Sequence, residues 1–288
     1  MQDGLHSETV TTAPGMVFDV SVAGRSGDPL VLMLHGFCAS RHSYDTAVGD
    51  LGSAGYYATA PNQRGYSPGA RPDPSDHPNY RMELLIDDAL AIATALGYAD
   101  RRLHLAGHDW GASLAWEIAS RYPQRLASLT ILSRPHPLAF NRALETDAEQ
   151  AKKSGHHGRF LDPNAGRELL ANDAAWMRTR LAKNGVPPEA IAKHVAVLGN
   201  PAAMEAALAW YRARGTYHSP VGRIQVPTLY IWGTVDDTVG RAAAEATRDV
   251  IDADFQFAPL DGVGHFAADQ SPQAVSDLIR AHVSRHPE

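Results

Sequence analysis

Gly107-His108-Asp109-Trp110-Gly111 decides how this 288-residue chain is read. Before it, Arg102-Leu103-His104-Leu105-Ala106 has the makeup of a short buried strand; after it, residues 112–119 repeat their apolar side chains at helical spacing. Strand, tight turn and helix follow one another. Small residues two before and two after a central side chain are what a nucleophile elbow requires, because glycine lets the helix and strand backbones approach while the central residue projects. That central residue is Asp109. A carboxylate is ionised at neutral pH and needs no base to become a nucleophile. Its natural target is an sp3 carbon carrying a leaving oxygen or halogen, since the resulting ester can be cleaved by water at the enzyme's own carbonyl. An aspartate that merely caps the following helix is the competing reading.

With 44% hydrophobic residues the chain can bury a core, either as one large domain or as a domain with an insertion. The formal charge of −6 comes from scattered acids, which argues against a nucleic-acid partner and against a membrane-binding helix. A small neutral or weakly polar substrate fits better. No apolar run has the length of a signal peptide or a membrane span, and the single cysteine, Cys38, forms no internal disulfide, so the expected location is the cytoplasm. Oligomeric state is left open, a homodimer included.

Residues 16–22 alternate like an antiparallel strand, and 29–34 are continuously apolar, like a strand buried on both faces. That second run ends in His35-Gly36-Phe37, where a flexible loop can turn backbone N–H groups toward a ligand; Phe37 and Trp110 are the expected oxyanion-hole donors. Residues 56–60 form the next strand. The loop after it contains Gly65-Tyr66-Ser67-Pro68-Gly69, which satisfies the serine-hydrolase pattern and is rejected on physical grounds. Pro68 has no N–H to donate to an oxyanion, and Pro72 and Pro74 forbid a continuing helix. Arg64 is expected to anchor this loop.

A helix at 81–96, the elbow and a strand at 126–133 follow. From Pro135-His136-Pro137 to about residue 219 only helical patterns occur, broken by glycine and proline, and strand–helix alternation then resumes. The expectation is an α/β core of residues 1–134 and 220–288 with a mostly parallel sheet, interrupted by an all-helical cap at 135–219. Gly233-Thr234-Val235-Asp236 and Gly264-His265 fall at later strand ends. Nucleophile, acid and base thus come in the chain order of α/β-hydrolase triads, Asp109, Asp236, His265, with Asp237 as the alternative acid. Gly262-Val263-Gly264-His265-Phe266-Ala267 mimics a dinucleotide fingerprint but opens no βαβ unit. No metal or organic cofactor is called for, since the histidines show no ligand-cluster spacing.

On these residues, together with Ala207-Leu208-Ala209-Trp210-Tyr211-Arg212, the chain resembles the epoxide hydrolase branch of the α/β-hydrolase superfamily over almost its whole length. The resemblance implies that Tyr211 hydrogen-bonds the oxygen of a small-molecule epoxide and that His35 and His108 lie at the substrate pocket. Two departures stand out: Asn62 opens a loop that begins with Asp in the family, and the place of a second cap tyrosine falls on His156, with His157 as the alternative. A bacterial subgroup looks similar in pairing a histidine with a tyrosine. A haloalkane dehalogenase would share the Asp–His–acid set but would want a donor at the position of Phe37. A non-catalytic binding protein on the same fold is the alternative from another class.

Overall fold

The computed structural model describes residues 4–153, 155–213 and 221–288, with the backbone alone for 155–157. Its strands are β1 (His6–Ala13), β2 (Met16–Ala23), β3 (Leu30–Leu34), β4 (Tyr57–Pro61), β5 (Leu103–His108), β6 (Leu126–Leu132), β7 (Thr228–Gly233) and β8 (Phe255–Leu260). Among the described residues they make one sheet in the order β1-β2-β4-β3-β5-β6-β7-β8. β1 and β2 pair antiparallel, β2 joins β4 antiparallel, and every later pairing is parallel.

β3 to β7 are buried at every residue, which explains their unbroken apolar runs: helices cover both faces. Alternation along β3 sends Leu30, Leu32 and Leu34 to one side, where they meet Leu85, Ile86, Leu114 and Trp116 of α2 (Met82–Ala95) and α3 (Trp110–Arg121). Val31 and Met33 face the other side, against Val48 and Leu51 of α1 (Asp45–Ser53) and Ile279 and Val283 of α11 (Pro272–Arg285). β1 has no counterpart in the sequence reading. Its side chains are mostly polar and exposed around a single buried Val10, so backbone pairing with β2 defines it where hydrophobic periodicity does not.

Chain direction across the sheet reverses at β3, whose neighbours β4 and β5 lie on opposite sides. Loops leaving β3 and β5 therefore diverge at a crevice beyond the strands' carboxyl ends, the usual ligand position in such sheets. Between β6 and β7 the described elements are helices, α4 (Pro137–Thr146), α5 (Ala148–Lys153), α6 (Ala165–Lys183), α7 (Pro188–Leu198) and α8 (Pro201–Ala213), before the chain returns through Ile224, which bridges to Ile251. The entry to this insertion is fixed by His136, whose ring accepts from the Leu138 N–H to cap α4 and contacts the Gly222 carbonyl at 3.1 Å. α9 (Arg241–Ala246) and α10 (Ala267–Gln270) complete the helices around the sheet.

Candidate active site

Asp109 lies between β5 and α3 with φ 51° and ψ −112°, a conformation that L-residues seldom adopt. A Cβ on Gly107 would stand 2.4 Å from the Gly111 carbonyl oxygen, and one on Gly111 would stand 2.1 Å from that of Leu34. The spacing of small residues in the pentapeptide is thus a consequence of backbone contact. The Phe37 N–H donates to Asp109 Oδ1 at 2.9 Å. Trp110 opens α3, where first-turn amides have no intrahelical acceptor.

His265 Nε2 stands 3.8 Å from Asp109 Oδ2, while its Nδ1 lies 3.0 Å from Asp236 Oδ2. Asp236 is buried, and its Oδ1 accepts from the Thr238 N–H, the Thr238 hydroxyl and the Val239 N–H at 2.7, 2.7 and 3.0 Å. Asp237 is half exposed and pairs with Arg180 at 3.1 Å, so it is Asp236 that faces the imidazole. The His265 backbone is held as well. Its N–H donates to Asn184 Oδ1 at 3.0 Å, and its carbonyl lies 2.7 Å from the Ser133 hydroxyl and 2.9 Å from His108 Nε2.

Charge follows from this layout. Burial opposes protonation of His265, but the Asp236 and Asp109 carboxylates on either side outweigh it and raise the imidazole to about 10. Burial likewise opposes ionisation of Asp109 and Asp236, and the neighbouring His265 reverses it, so both carboxyls fall below their usual range. The resting arrangement is two carboxylates about one imidazolium.

His35 and His108, expected at the substrate pocket, are not among the residues lining the cavity beside Asp109. The Gln63 N–H donates to His35 Nε2, so the other ring nitrogen, 3.0 Å from the Gly36 carbonyl, carries the proton. His108 turns back to the His265 carbonyl. Burial lowers His35 to about 3, and burial with the charge of His265 lowers His108 to about 4, so both are neutral struts behind the site.

The cavity beside Asp109 and His265 is lined from the insertion by Phe140, Phe160, Arg180 and Tyr211 and from the core by Phe37, Arg134, Thr238, Val239 and Phe266. The Tyr211 ring lies 5.3, 5.1 and 4.8 Å from those of Phe37, Trp110 and Phe160. Burial and the charge of Asp109 push its phenol well above the ordinary value, and the Trp110 side chain is hydrogen-bonded to it. An indole only donates, so Tyr211 is the acceptor there and its O–H proton takes no part in that bond. His156, and His157 beside it, have side chains outside the described residues.

The serine-hydrolase mimic is a buried staple: Ser67 donates to the Asn62 carbonyl at 2.7 Å and accepts from the Asp19 N–H at 2.9 Å. Arg64 anchors the loop through both carboxylate oxygens of Asp88 at 2.6 and 2.9 Å, and Asn62 accepts from the Arg41 N–H. Thr238 escaped the sequence reading although Asp236-x-Thr238 is an Asx-turn signature. Ser133, Gln150, Arg180 and Asn184 had no local signal.

With this fold and geometry, the chain belongs to the alpha/beta hydrolase fold family, which matches residues 29–272. It is 30% identical over 285 residues to the AB hydrolase superfamily protein YfhM of Bacillus subtilis (strain 168), covering 96% of this chain and 97% of the relative. It is 28% identical over 291 residues to human Epoxide hydrolase 4, covering 96% and 78%. A solved structure described under novel epoxide hydrolases of the alpha/beta hydrolases superfamily, in metagenomes from hot environments, superposes with TM-score 0.84 at 25% identity, covering 96% and 98%. Within its family the chain is an epoxide hydrolase-like enzyme. No helix among the described residues is long and apolar enough to cross a membrane.

Proposed function

We propose that the protein hydrolyses a small-molecule epoxide to a vicinal diol through an ester on Asp109, in a site between a core of residues 1–134 and 220–288 and a cap of 135–219. An Asp109 oxygen attacks one epoxide carbon; that carbon–oxygen bond breaks, and the departing oxygen takes a proton from Tyr211, assisted by a second donor assigned to His156. Water then adds to the Asp109 carbonyl carbon and gives a proton to His265 Nε2, while the Phe37 and Trp110 N–H groups hold the oxyanion. Collapse breaks the bond to the alkyl oxygen, which takes that proton from His265; the imidazolium proton shed after alkylation restores the Tyr211 phenol, and the new Asp109 carboxyl returns a proton to His265 as the diol leaves. One water is consumed.

The observation that carries this reading is His265 between two carboxylates, one at the elbow and one behind it, with Tyr211 on the same cavity. Esterification removes the charge of Asp109, one of the two causes that keep His265 protonated, so alkylation itself lowers the imidazole toward the neutral form that the second step needs. Halide chemistry gains less support, because the Trp110 indole is engaged by Tyr211 and Phe37 offers no side-chain donor. Incubation with terminal, internal and aryl epoxides beside bromoalkanes tests the choice. Diol formation faster than halide release is expected; the reverse order overturns it.

A further inference from the structure

Five consecutive residues of the loop carrying Asp236 are each bonded by a side chain of the helical insertion. Gln150 of α5, fully buried, accepts from the Gly240 N–H at 2.8 Å and donates to the Thr238 carbonyl at 2.9 Å, as a neighbouring strand would. Lys153, one turn on, donates to the Asp236 carbonyl at 2.7 Å and to that of Val239 at 3.4 Å. Arg180 and Asn184 of α6 and its end reach Asp237 at 3.1 and 3.4 Å. Asn184 also crosses to the other loop, where it accepts from the His265 N–H. In α10, directly after that loop, Asp269 meets His194 of α7 at 2.9 Å. Asp109 is held differently: Phe37 donates to its carboxylate and Ser113 to its carbonyl, both from the core.

We infer that the insertion is a clamp on the water-activating pair, with Gln150, Lys153 and Asn184 as positioning residues that align Asp236 with His265. The inference rests on the two-step ester mechanism proposed above. Attack on the epoxide requires Asp109 and its ring-opening donors, whereas ester hydrolysis also requires the 3.0 Å contact between Asp236 and His265. A misplacement of about 1 Å in such a contact can cost on the order of a hundredfold in rate. Loosening the clamp should therefore slow the second step and spare the first.

Rapid-quench mass measurement of the ester separates the two steps in Gln150→Ala, Asn184→Ala and Lys153→Met. Hydrolysis slowed by about tenfold to a hundredfold, alkylation within about twofold of wild type and a larger steady-state ester fraction support the clamp. Equal loss in both steps, or no loss in either, overturns it. Gln150 and Asn184 are buried, so Lys153→Met, at a partly exposed position, decides the matter should those variants fail to fold. NMR titration of His265 supplies a readout that needs no turnover: the clamp predicts a lower imidazole pKa in Gln150→Ala, which changes no charge, than in wild type, and an unchanged value contradicts it. Wild-type turnover without any ester, accompanied by the titration shift, would sink the mechanism and leave the clamp standing.

Discussion

Asp109 sits at the end of a fully buried strand, in a turn flanked by Gly107 and Gly111, whereas Tyr211 reaches its cavity, and Gln150 and Asn184 reach the loops carrying Asp236 and His265, from the helical insertion between β6 and β7. The core fixes its reactive group by backbone sterics and by amides that belong to the sheet. The insertion fixes the loops carrying Asp236 and His265 by side-chain hydrogen bonds between residues 53 to 90 apart in sequence, such as Asn184 to Asp237 and Gln150 to Gly240. Such an arrangement separates two kinds of sensitivity. On the proposed mechanism, changes in the core should decide whether a nucleophile exists at all, and changes in the insertion how quickly each step proceeds.

The sharpest contrast lies between adjacent residues. Asp236→Asn removes the charge facing His265 and should lower turnover by about 10³- to 10⁴-fold, while Asp237→Asn, which breaks a half-exposed pair with Arg180, should change stability by about 1 kcal/mol or less. Steady-state rates and urea titrations of both variants check this; comparable losses would show that Asp237 carries the acid role. Tyr211→Phe comes next. It keeps the ring among Phe37, Trp110 and Phe160 and deletes one donor, so single-turnover alkylation should slow by on the order of tenfold to a thousandfold. Unchanged alkylation would remove Tyr211 from ring opening.

A further contrast is a pH slope in stability. His265 is raised in the folded protein to about 10 from an ordinary 6.5, so the stabilisation it brings is complete below about pH 6.5 and disappears as pH rises through about 10. Urea unfolding between pH 7 and 10 should therefore show a decline in wild type that His265→Gln largely lacks. Parallel profiles would mean that the imidazole is not held between two charged carboxylates.

The three residues that meet at His265 could be picked out because each follows a strand in a turn marked by glycine: Gly107 and Gly111 around Asp109, Gly233 before Asp236, Gly264 before His265. The roles of His35 and His108 were not, since a histidine at such a strand end looks the same whether its ring turns toward the cavity or back to a loop; only the partners Gln63 and His265 tell the two apart. Gln150 and Asn184 read as ordinary helix residues because what they bind is backbone far away in sequence. The strand β1 was hidden for a related reason, its polar face leaving no periodic signal beyond Val10.

The central claim is a covalent bond between substrate and Asp109, and His265→Gln tests it most directly. Mixed with an epoxide that the wild type converts, this variant retains the nucleophile and the ring-opening donors but lacks the base. Its intact mass should rise by one whole substrate, with the added mass on the peptide containing Asp109. An unmodified variant alongside an active wild type, or an adduct on any other residue, would contradict the claim.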